Sequence, residues 1–227
     1  MINSSEMAKM IDHTLLGPTS SSEGVARLCE EAEKYEFASV CVNPIFVPEA
    51  EEALSDSSVK VCTVIGFPHG THKGGTKGFE AQLSVEDGAD ELDMVVNIPS
   101  LTSHCYRVVE KDISSVTRVA EESCREVTVK VILEMGVLDR REKVAGAIIA
   151  QAAGADFVKT STGFGFGGAQ VKDVELLREV VGEEMGIKAA GGISNYEEAL
   201  EFIEAGATRI GASRGVQIVE GAPDDRG

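Results

Sequence analysis

The fold prediction starts from one stretch of the chain, Gly154-Ala155-Asp156-Phe157-Val158-Lys159-Thr160-Ser161. A helical run ends at the glycine, which can close a helix in the left-handed conformation, and a short β-rich run follows at once. The same junction recurs at Gly88-Ala89-Asp90 and at Gly206-Ala207-Thr208. This repetition predicts a chain in which helices and strands alternate.

The alternation extends over the whole chain, where helical runs separate eight β-rich runs spaced about 25–30 residues apart. The predicted strands lie near Met10–Leu15, Ser39–Asn43, Val59–Gly66, Glu91–Asn97, Thr128–Glu134, Asp156–Ser161, Gly186–Ala190 and Thr208–Ala212. Strands that alternate with helices in this way are typically parallel. Eight such units predict an α/β protein with a single-domain (β/α)8 (TIM) barrel, and an open doubly wound sheet is the alternative.

The domain prediction follows from the lack of a linker or low-complexity tract along the chain. Residues 1–220 are expected to form the barrel, and the acidic tail 221–227 is expected to be disordered. The N-terminus lacks the basic and apolar regions of a signal peptide. Five scattered cysteines without a CxxC pair favour reduced thiols, and a cytoplasmic location is expected.

The charge balance restricts the partners of this protein. The 227-residue chain has 21 basic and 38 acidic residues, a net charge of −17. Such a chain repels phosphate backbones and anionic lipids, so neither nucleic acid nor a membrane surface is an expected partner. A bound phosphate would need local backbone amides and a few basic groups. No histidine or cysteine spacing predicts a metal site.

Ionisable residues in the predicted strands define the candidate site. A barrel strand is buried on both faces and should be mostly apolar. In the run 128–134, Val129, Val131 and Leu133 suit the helix-facing side, so the alternate residues point into the barrel. The inward-facing ionisable residues predicted in this way are Asp12, Asp93, Lys130, Glu134, Lys159 and Lys188. Buried charges cost several kcal/mol unless they are paired, which makes such a cluster a place for chemistry.

Two lysines beside an aspartate suggest one type of chemistry. A buried lysine next to another cation gives up its proton more readily, because each ammonium group disfavours the other. The neutral amine can attack a carbonyl carbon and form a Schiff base. The iminium withdraws electrons, so a neighbouring C–C bond can break or form. A carboxylate such as Asp93 can relay the protons, directly or through water.

Glycine-rich loops follow three late strands and give a second signal. These loops contain Ser161-Thr162-Gly163-Phe164-Gly165-Phe166-Gly167-Gly168, Gly191-Gly192-Ile193-Ser194 and Gly211-Ala212-Ser213-Arg214-Gly215. In (β/α)8 enzymes the loops after the last strands often hold a phosphate, and glycines let backbone N–H groups approach it. The sequence therefore predicts a phosphorylated ligand.

These residues give the chain a close resemblance to the deoxyribose-phosphate aldolase family. Members of this family are class I aldolases built on a (β/α)8 barrel. The resemblance extends from Ile11 to about Gly215. The matching runs are Ile11-Asp12-His13-Thr14-Leu15-Leu16, Val40-Cys41-Val42-Asn43-Pro44, Val64-Ile65-Gly66-Phe67-Pro68, Glu91-Leu92-Asp93-Met94-Val95-Val96-Asn97, Lys130-Val131-Ile132-Leu133-Glu134, Ala155-Asp156-Phe157-Val158-Lys159-Thr160-Ser161-Thr162-Gly163 and Ile187-Lys188-Ala189-Ala190-Gly191-Gly192.

The resemblance implies reversible cleavage of 2-deoxy-D-ribose 5-phosphate to D-glyceraldehyde 3-phosphate and acetaldehyde, without a metal or an organic cofactor. It implies that Lys159 is the Schiff-base nucleophile, that Lys188 assists it, and that Asp93 transfers protons through a water. The residues implied to line the pocket are Asp12, Thr14, Cys41 and Lys130, and those implied to hold the phosphate are Gly163, Gly191, Gly192, Gly211 and Ser213. A homodimer or homotetramer is also implied.

The chain departs from the family pattern in several loops, and these departures bear on substrate preference more than on the chemistry. Arg214 stands where the family usually has a second serine, and it would either strengthen phosphate binding or crowd the phosphate. His69-Gly70-Thr71-His72-Lys73 also differs from the usual run. The alternatives are a Schiff-base lyase or isomerase acting on another phosphosugar, and an inactive barrel that binds a metabolite or a partner.

Overall fold

A computed structural model describes residues 2–224, and in this range eight parallel strands form a closed barrel in chain order. The strands are β1 Ile11–Leu15, β2 Ser39–Val42, β3 Lys60–Ile65, β4 Glu91–Val95, β5 Thr128–Ile132, β6 Phe157–Lys159, β7 Gly186–Ala190 and β8 Arg209–Ala212. The first and last strands pair with each other, with Ile11 opposite Ile210. The predicted (β/α)8 barrel is therefore confirmed, and the open sheet is excluded.

Helices surround the barrel: one precedes the first strand, and at least one follows each of the eight strands. They are α1 Ser4–Ala8, α2 Ser22–Tyr35, α3 Val47–Ala53, α4 Gly74–Glu86, α5 Ile98–Thr102, α6 Tyr106–Glu122, α7 Arg140–Ala152, α8 Val171–Val181, α9 Tyr196–Glu204 and α10 Gly215–Glu220. Short 3₁₀ turns span Pro44–Phe46 and Met135–Val137. None of the helices in residues 2–224 has the length and apolar character needed to cross a membrane.

The glycine junctions behave as the sequence predicts. Gly88, Gly154 and Gly206 have φ angles of 112°, 83° and 113°, a region that residues with a Cβ rarely adopt. Each glycine lies two residues after the end of a helix and three residues before the start of a strand. The positive φ reverses the chain after a helix, so these three glycines set the helix–strand repeat.

Several strands end earlier than the sequence predicts, and β5 shows why. β5 ends at Ile132, although the predicted strand continued to Glu134. Glu134 has φ 57° and ψ 61°, a left-handed conformation that ends the strand alternation. The prediction that Glu134 continues the inward row of Lys130 is therefore wrong.

The apolar core lies between the barrel and the helices. Leu92, Met94, Val129 and Val131 all belong to this core and are almost fully buried. Their alternation leaves the opposite face of each strand for the barrel interior. At the chain ends, the backbone N–H of Ser4 donates a hydrogen bond to the Pro223 carbonyl. The rest of the tail that was predicted to be disordered, residues 225–227, lies outside the described residues.

Candidate active site

Asp93 in β4 gathers three lysines from β5, β6 and β7. Its Oδ2 accepts hydrogen bonds from the Nζ atoms of Lys159 at 2.7 Å and Lys188 at 2.6 Å. Its Oδ1 accepts one from the Nζ of Lys130 at 2.8 Å. The strand register explains the proximity, because Asp93 lies opposite Lys130 and Lys159 lies opposite Lys188. The structure thus brings together the three residues expected to carry the chemistry, with Lys130 beside them.

Asp12, Glu91 and Arg209 extend this arrangement toward the other end of the barrel. Asp12 pairs with Lys188, and its Oδ1 lies 2.6 Å from the Nη1 of Arg209. Glu91 Oε2 lies 2.6 Å from the Nζ of Lys130. Sequence reasoning missed Glu91 and Arg209, although each stands two residues before an inward position and thus shares its face.

We call these seven residues the interior cluster, and its members are Asp12, Glu91, Asp93, Lys130, Lys159, Lys188 and Arg209. Within residues 2–224 it joins four cationic side chains to three carboxylates through direct contacts. With every member ionised, the cluster has one positive charge in excess.

The contacts fix the charge state of the deeper members. Burial by itself would raise the pKa of Asp93, but the ammonium groups of Lys130, Lys159 and Lys188 hold it well below the usual value. Burial likewise opposes ionisation of Lys188, yet Asp12 and Asp93 raise its pKa above the usual value. Asp93 therefore stays a carboxylate and Lys188 stays an ammonium at neutral pH.

A cavity of about 510 Å³ opens above the cluster, at the carboxyl ends of β1, β6, β7 and β8. Of the seven cluster residues, only Lys159 lines it. Lys159 is 3% exposed, whereas Asp93 and Lys188 are completely buried behind it. The geometry presents one amine to a ligand and keeps the Asp93 carboxylate and the Lys188 ammonium behind it, shielded from bulk solvent.

The residues expected to hold a phosphate all line the cavity: Gly163, Gly191, Gly192, Gly211 and Ser213. Gly191 has φ 100°, and a Cβ there would lie 3.1 Å from the Cα of Gly168. Only glycine fits this close approach of two loops. The placement is compatible with backbone N–H groups that face a bound oxyanion.

The residues expected to line the pocket divide into two groups. Thr14 lines the cavity. Asp12, Cys41 and Lys130 are completely buried and are not part of its lining. Asp12 and Lys130 are held by the charges of the interior cluster. Direct contact of these three with a substrate therefore stays a prediction.

Two cysteines lie against the cluster. Cys41 is opposite Cys62 in the strand register, and the Cys62 thiol donates to Asp93 Oδ1 at 3.2 Å. The two sulfurs and an Asp93 oxygen lie within 4.8 Å of one another, close enough for metal ligands. However, ammonium groups already occupy both Asp93 oxygens and would repel a cation. This donor set therefore fits a metal poorly.

Glu134 holds the loop that follows β6. Its Oε2 accepts hydrogen bonds from the backbone N–H of Thr162, at 3.2 Å, and from the Thr162 hydroxyl. The Thr162 hydroxyl oxygen in turn accepts from the N–H of Phe164 at 3.1 Å. Because Thr162 and Phe164 line the cavity, Glu134 orders the cavity wall rather than the interior cluster.

Comparisons with known proteins agree with this geometry. The family description DeoC/LacD family aldolase matches residues 6–221. The chain is 55% identical to a deoxyribose-phosphate aldolase of Thermococcus kodakarensis, over 99% of this chain and 100% of that one. It is 56% identical to one from Caldanaerobacter subterraneus subsp. tengcongensis, over 94% and 92% of the two chains. The tetrameric deoxyribose phosphate aldolase of Aeropyrum pernix superimposes with a TM-score of 0.89 and 34% identity, covering 96% of this chain and 91% of that one.

Proposed function

Because the chain belongs to the DeoC/LacD family of aldolases, we propose that it reversibly cleaves 2-deoxy-D-ribose 5-phosphate to D-glyceraldehyde 3-phosphate and acetaldehyde through a Schiff base. One observation carries the proposal: the Lys159 amine lines the cavity and lies 2.7 Å from a carboxylate shared with two other lysines. The curated relatives that bear the name of this activity cover nearly the whole chain.

Lys159 is the proposed nucleophile. Loss of one proton from this lysine leaves the interior cluster with three cations and three carboxylates, so an uncharged amine there costs no unpaired buried charge. The amine nitrogen attacks C1 of the open-chain sugar, and the carbinolamine loses water to give an iminium. The C2–C3 bond then breaks, and its electron pair flows into the iminium to form an enamine.

Asp93 and Lys188 are the proposed partners in proton transfer. The proton of the C3 hydroxyl passes to the Asp93 carboxylate, directly or through a water, as the C3 aldehyde forms. A proton returned to C2 of the enamine restores the iminium, and water then releases acetaldehyde and the free amine. The Lys188 ammonium shares Asp93 Oδ2 with Lys159, so its charge opposes a second positive charge beside it.

Borohydride trapping tests this proposal directly. Incubation with acetaldehyde and borohydride should add a reduced two-carbon group to the peptide that contains Lys159, read by mass spectrometry. The Lys159→Ala variant is the matched control and should stay unmodified. An adduct on another lysine, or none, would contradict the assignment. Activity should also survive a strong chelator, whereas loss that zinc reverses would indicate a metal-dependent aldolase.

We also propose that the protein assembles as a homodimer or homotetramer in the cytoplasm. Four large apolar side chains are between 40% and 59% exposed on the adjacent helices α4 and α6, namely Phe79, Leu83, Tyr106 and Val108. All five cysteines are free, as expected in a reducing compartment. Light scattering coupled to gel filtration measures the assembly, and a monomer at micromolar concentration would contradict it.

A further inference from the structure

The cavity above Lys159 has an unusual charge for this molecule. The chain has 38 acidic residues and a net charge of −17, yet within residues 2–224 no aspartate or glutamate lines the cavity. Among the residues that the structure describes, its charged lining consists of Lys159 and Arg214. An acidic protein thus has an electropositive recess at the mouth of its barrel, which favours an anionic ligand.

Arg214 is the outer of the two cations, and its side chain is not engaged elsewhere. The residue lies two positions after β8, is exposed, and its backbone carbonyl accepts a hydrogen bond from the N–H of Ile218. Within residues 2–224 its guanidinium makes no hydrogen bond or ion pair. Arg209, by contrast, is held by Asp12 at 2.6 Å. Arg214 therefore has its full set of N–H donors free for a ligand.

Lys159 and Arg214 cannot both neutralise the charge of a bound phosphate. Lys159 must lose its charge to attack a carbonyl, so it cannot also neutralise a phosphate. The glycine loops offer neutral N–H groups, and the Ser213 hydroxyl is neutral too. A guanidinium keeps its charge at any working pH and can bind a phosphate through two parallel hydrogen bonds. Arg214 is the group in this cavity that can supply a permanent countercharge.

We propose that Arg214 binds the substrate phosphate and determines the preference of this enzyme for phosphorylated over unphosphorylated aldehydes. This inference rests on the proposed aldolase function, because it assigns the phosphate to the cavity that contains Lys159. A cavity of about 510 Å³ is large enough for a small ligand with a carbonyl at one end and a phosphate at the other.

Kinetics on two substrates test the proposal. The values of kcat/KM are measured with 2-deoxy-D-ribose 5-phosphate and with 2-deoxy-D-ribose, for the wild type, Arg214→Gln and Arg214→Lys. The ratio of the two values should fall about 10–100-fold in Arg214→Gln, as expected for a lost charge-assisted contact. Arg214→Lys keeps a positive charge, so its ratio should lie between those of Arg214→Gln and the wild type. Arg107→Gln removes an exposed positive charge from α6 and should keep the wild-type ratio.

A binding measurement separates this inference from the proposed function. The probe is 2-deoxyribitol 5-phosphate, which has the phosphate but no carbonyl, so it binds without forming a Schiff base. Calorimetry should show about 10–100-fold weaker binding to Arg214→Gln than to the wild type. Equal affinities, or an unchanged substrate ratio, would overturn the role of Arg214. A wild type that binds the probe but cleaves neither sugar would instead overturn the aldolase assignment and leave the phosphate contact standing.

Discussion

Two regions of this barrel bury lysine–aspartate contacts, and they differ in how many charges meet. Behind the barrel wall, the Nζ of Lys77 lies 2.6 Å from Asp112 Oδ2 and 2.7 Å from the Val95 carbonyl. That pair is one cation with one anion. In the interior cluster, by contrast, four cations surround three carboxylates. If the lysine of a one-to-one pair loses its proton, the aspartate is left as an unpaired buried charge. If one lysine of the interior cluster loses its proton, three cations remain with three carboxylates and the buried charges are balanced.

The pKa shifts of the two aspartates follow the same division. Burial raises the pKa of Asp112, and neither its one cationic partner, Lys77, nor the hydrogen bond from the Asn97 N–H offsets this. Burial acts on Asp93 too, but three ammonium groups outweigh it and lower the pKa. The number of cationic partners therefore decides whether the pKa of these buried carboxylates is raised or lowered.

Loss of Lys159, the cluster lysine that lines the cavity, should have the largest effect on activity. Lys159→Ala removes the amine that lines the cavity, so the rate of cleavage should fall by about 10⁴-fold or more. The fold should be kept, because the remaining cluster has balanced charges. Stopped assays with 2-deoxy-D-ribose 5-phosphate measure the rate, and urea unfolding measures stability. Turnover near the wild-type rate would show that Lys159 is not the nucleophile.

Disruption of the Lys77–Asp112 pair should lower stability and leave activity unchanged, the reverse of the result expected for Lys159→Ala. Lys77→Met keeps most of the side-chain volume but leaves Asp112 buried without its cation, which should lower the free energy of unfolding by about 3–5 kcal/mol. The kcat of the folded fraction should stay near the wild-type value. The double variant Lys77→Met/Asp112→Leu removes both charges and should recover much of the stability. If the single variant loses kcat while it stays stable, the pair serves catalysis after all.

The sequence predicts the interior better than it predicts the surroundings, for a geometric reason. Strand alternation has a period of two, so it identifies Asp93, Lys159 and Lys188 without any knowledge of their neighbours. The same rule extends to Glu91, which was missed. It cannot describe Glu134, because a left-handed residue ends the alternation.

The Lys77–Asp112 pair lies beyond the reach of such patterns. Its members are 35 residues apart on α4 and α6, and they meet because the two helices pack side by side. Nothing in either helix alone signals the partner. In the same way, the freedom of the Arg214 guanidinium depends on which acidic side chains lie nearby, and only the assembled loops show this.

Acid should change the stabilising contributions of Asp12, in the interior cluster, and Asp112, in the pair with Lys77, in opposite directions. Burial raises the pKa of Asp12, but Lys188 and Arg209 lower it below the usual value. Asp12 thus contributes stability above its unfolded pKa, about 4, and this stability is lost as the pH falls. Asp12→Asn should reduce the slope of unfolding free energy between pH 4 and pH 2 by about 1 kcal/mol per pH unit.

Asp112 gives the contrasting case in the same experiment. The pKa of Asp112 is raised in the folded protein, so its contribution to the free energy of unfolding is present below about pH 4. This contribution is lost as the pH rises through the pKa of Asp112 in the folded protein. Asp112→Asn should therefore leave the slope between pH 4 and pH 2 unchanged. Urea unfolding at half-unit pH steps compares both variants with the wild type. Equal slopes for Asp12→Asn and the wild type would show that the cluster does not hold Asp12 ionised.

Glu134 offers the finest test, because it is a buried carboxylate held by hydrogen bonds instead of lysines. One oxygen, Oε2, accepts both the backbone N–H and the hydroxyl of Thr162, so Glu134→Gln removes the negative charge from both hydrogen bonds. An amide oxygen at that position accepts both more weakly, and an amide nitrogen there accepts neither. We expect kcat/KM for the phosphorylated sugar to fall about 3–10-fold, mainly through KM, because the loop that contains Gly163 loosens. Borohydride trapping at Lys159 should persist, since no contact of the interior cluster changes. A loss of kcat with a shifted pH profile would instead show that this carboxylate moves protons, and catalysis would then extend beyond the cluster that contains the surplus charge.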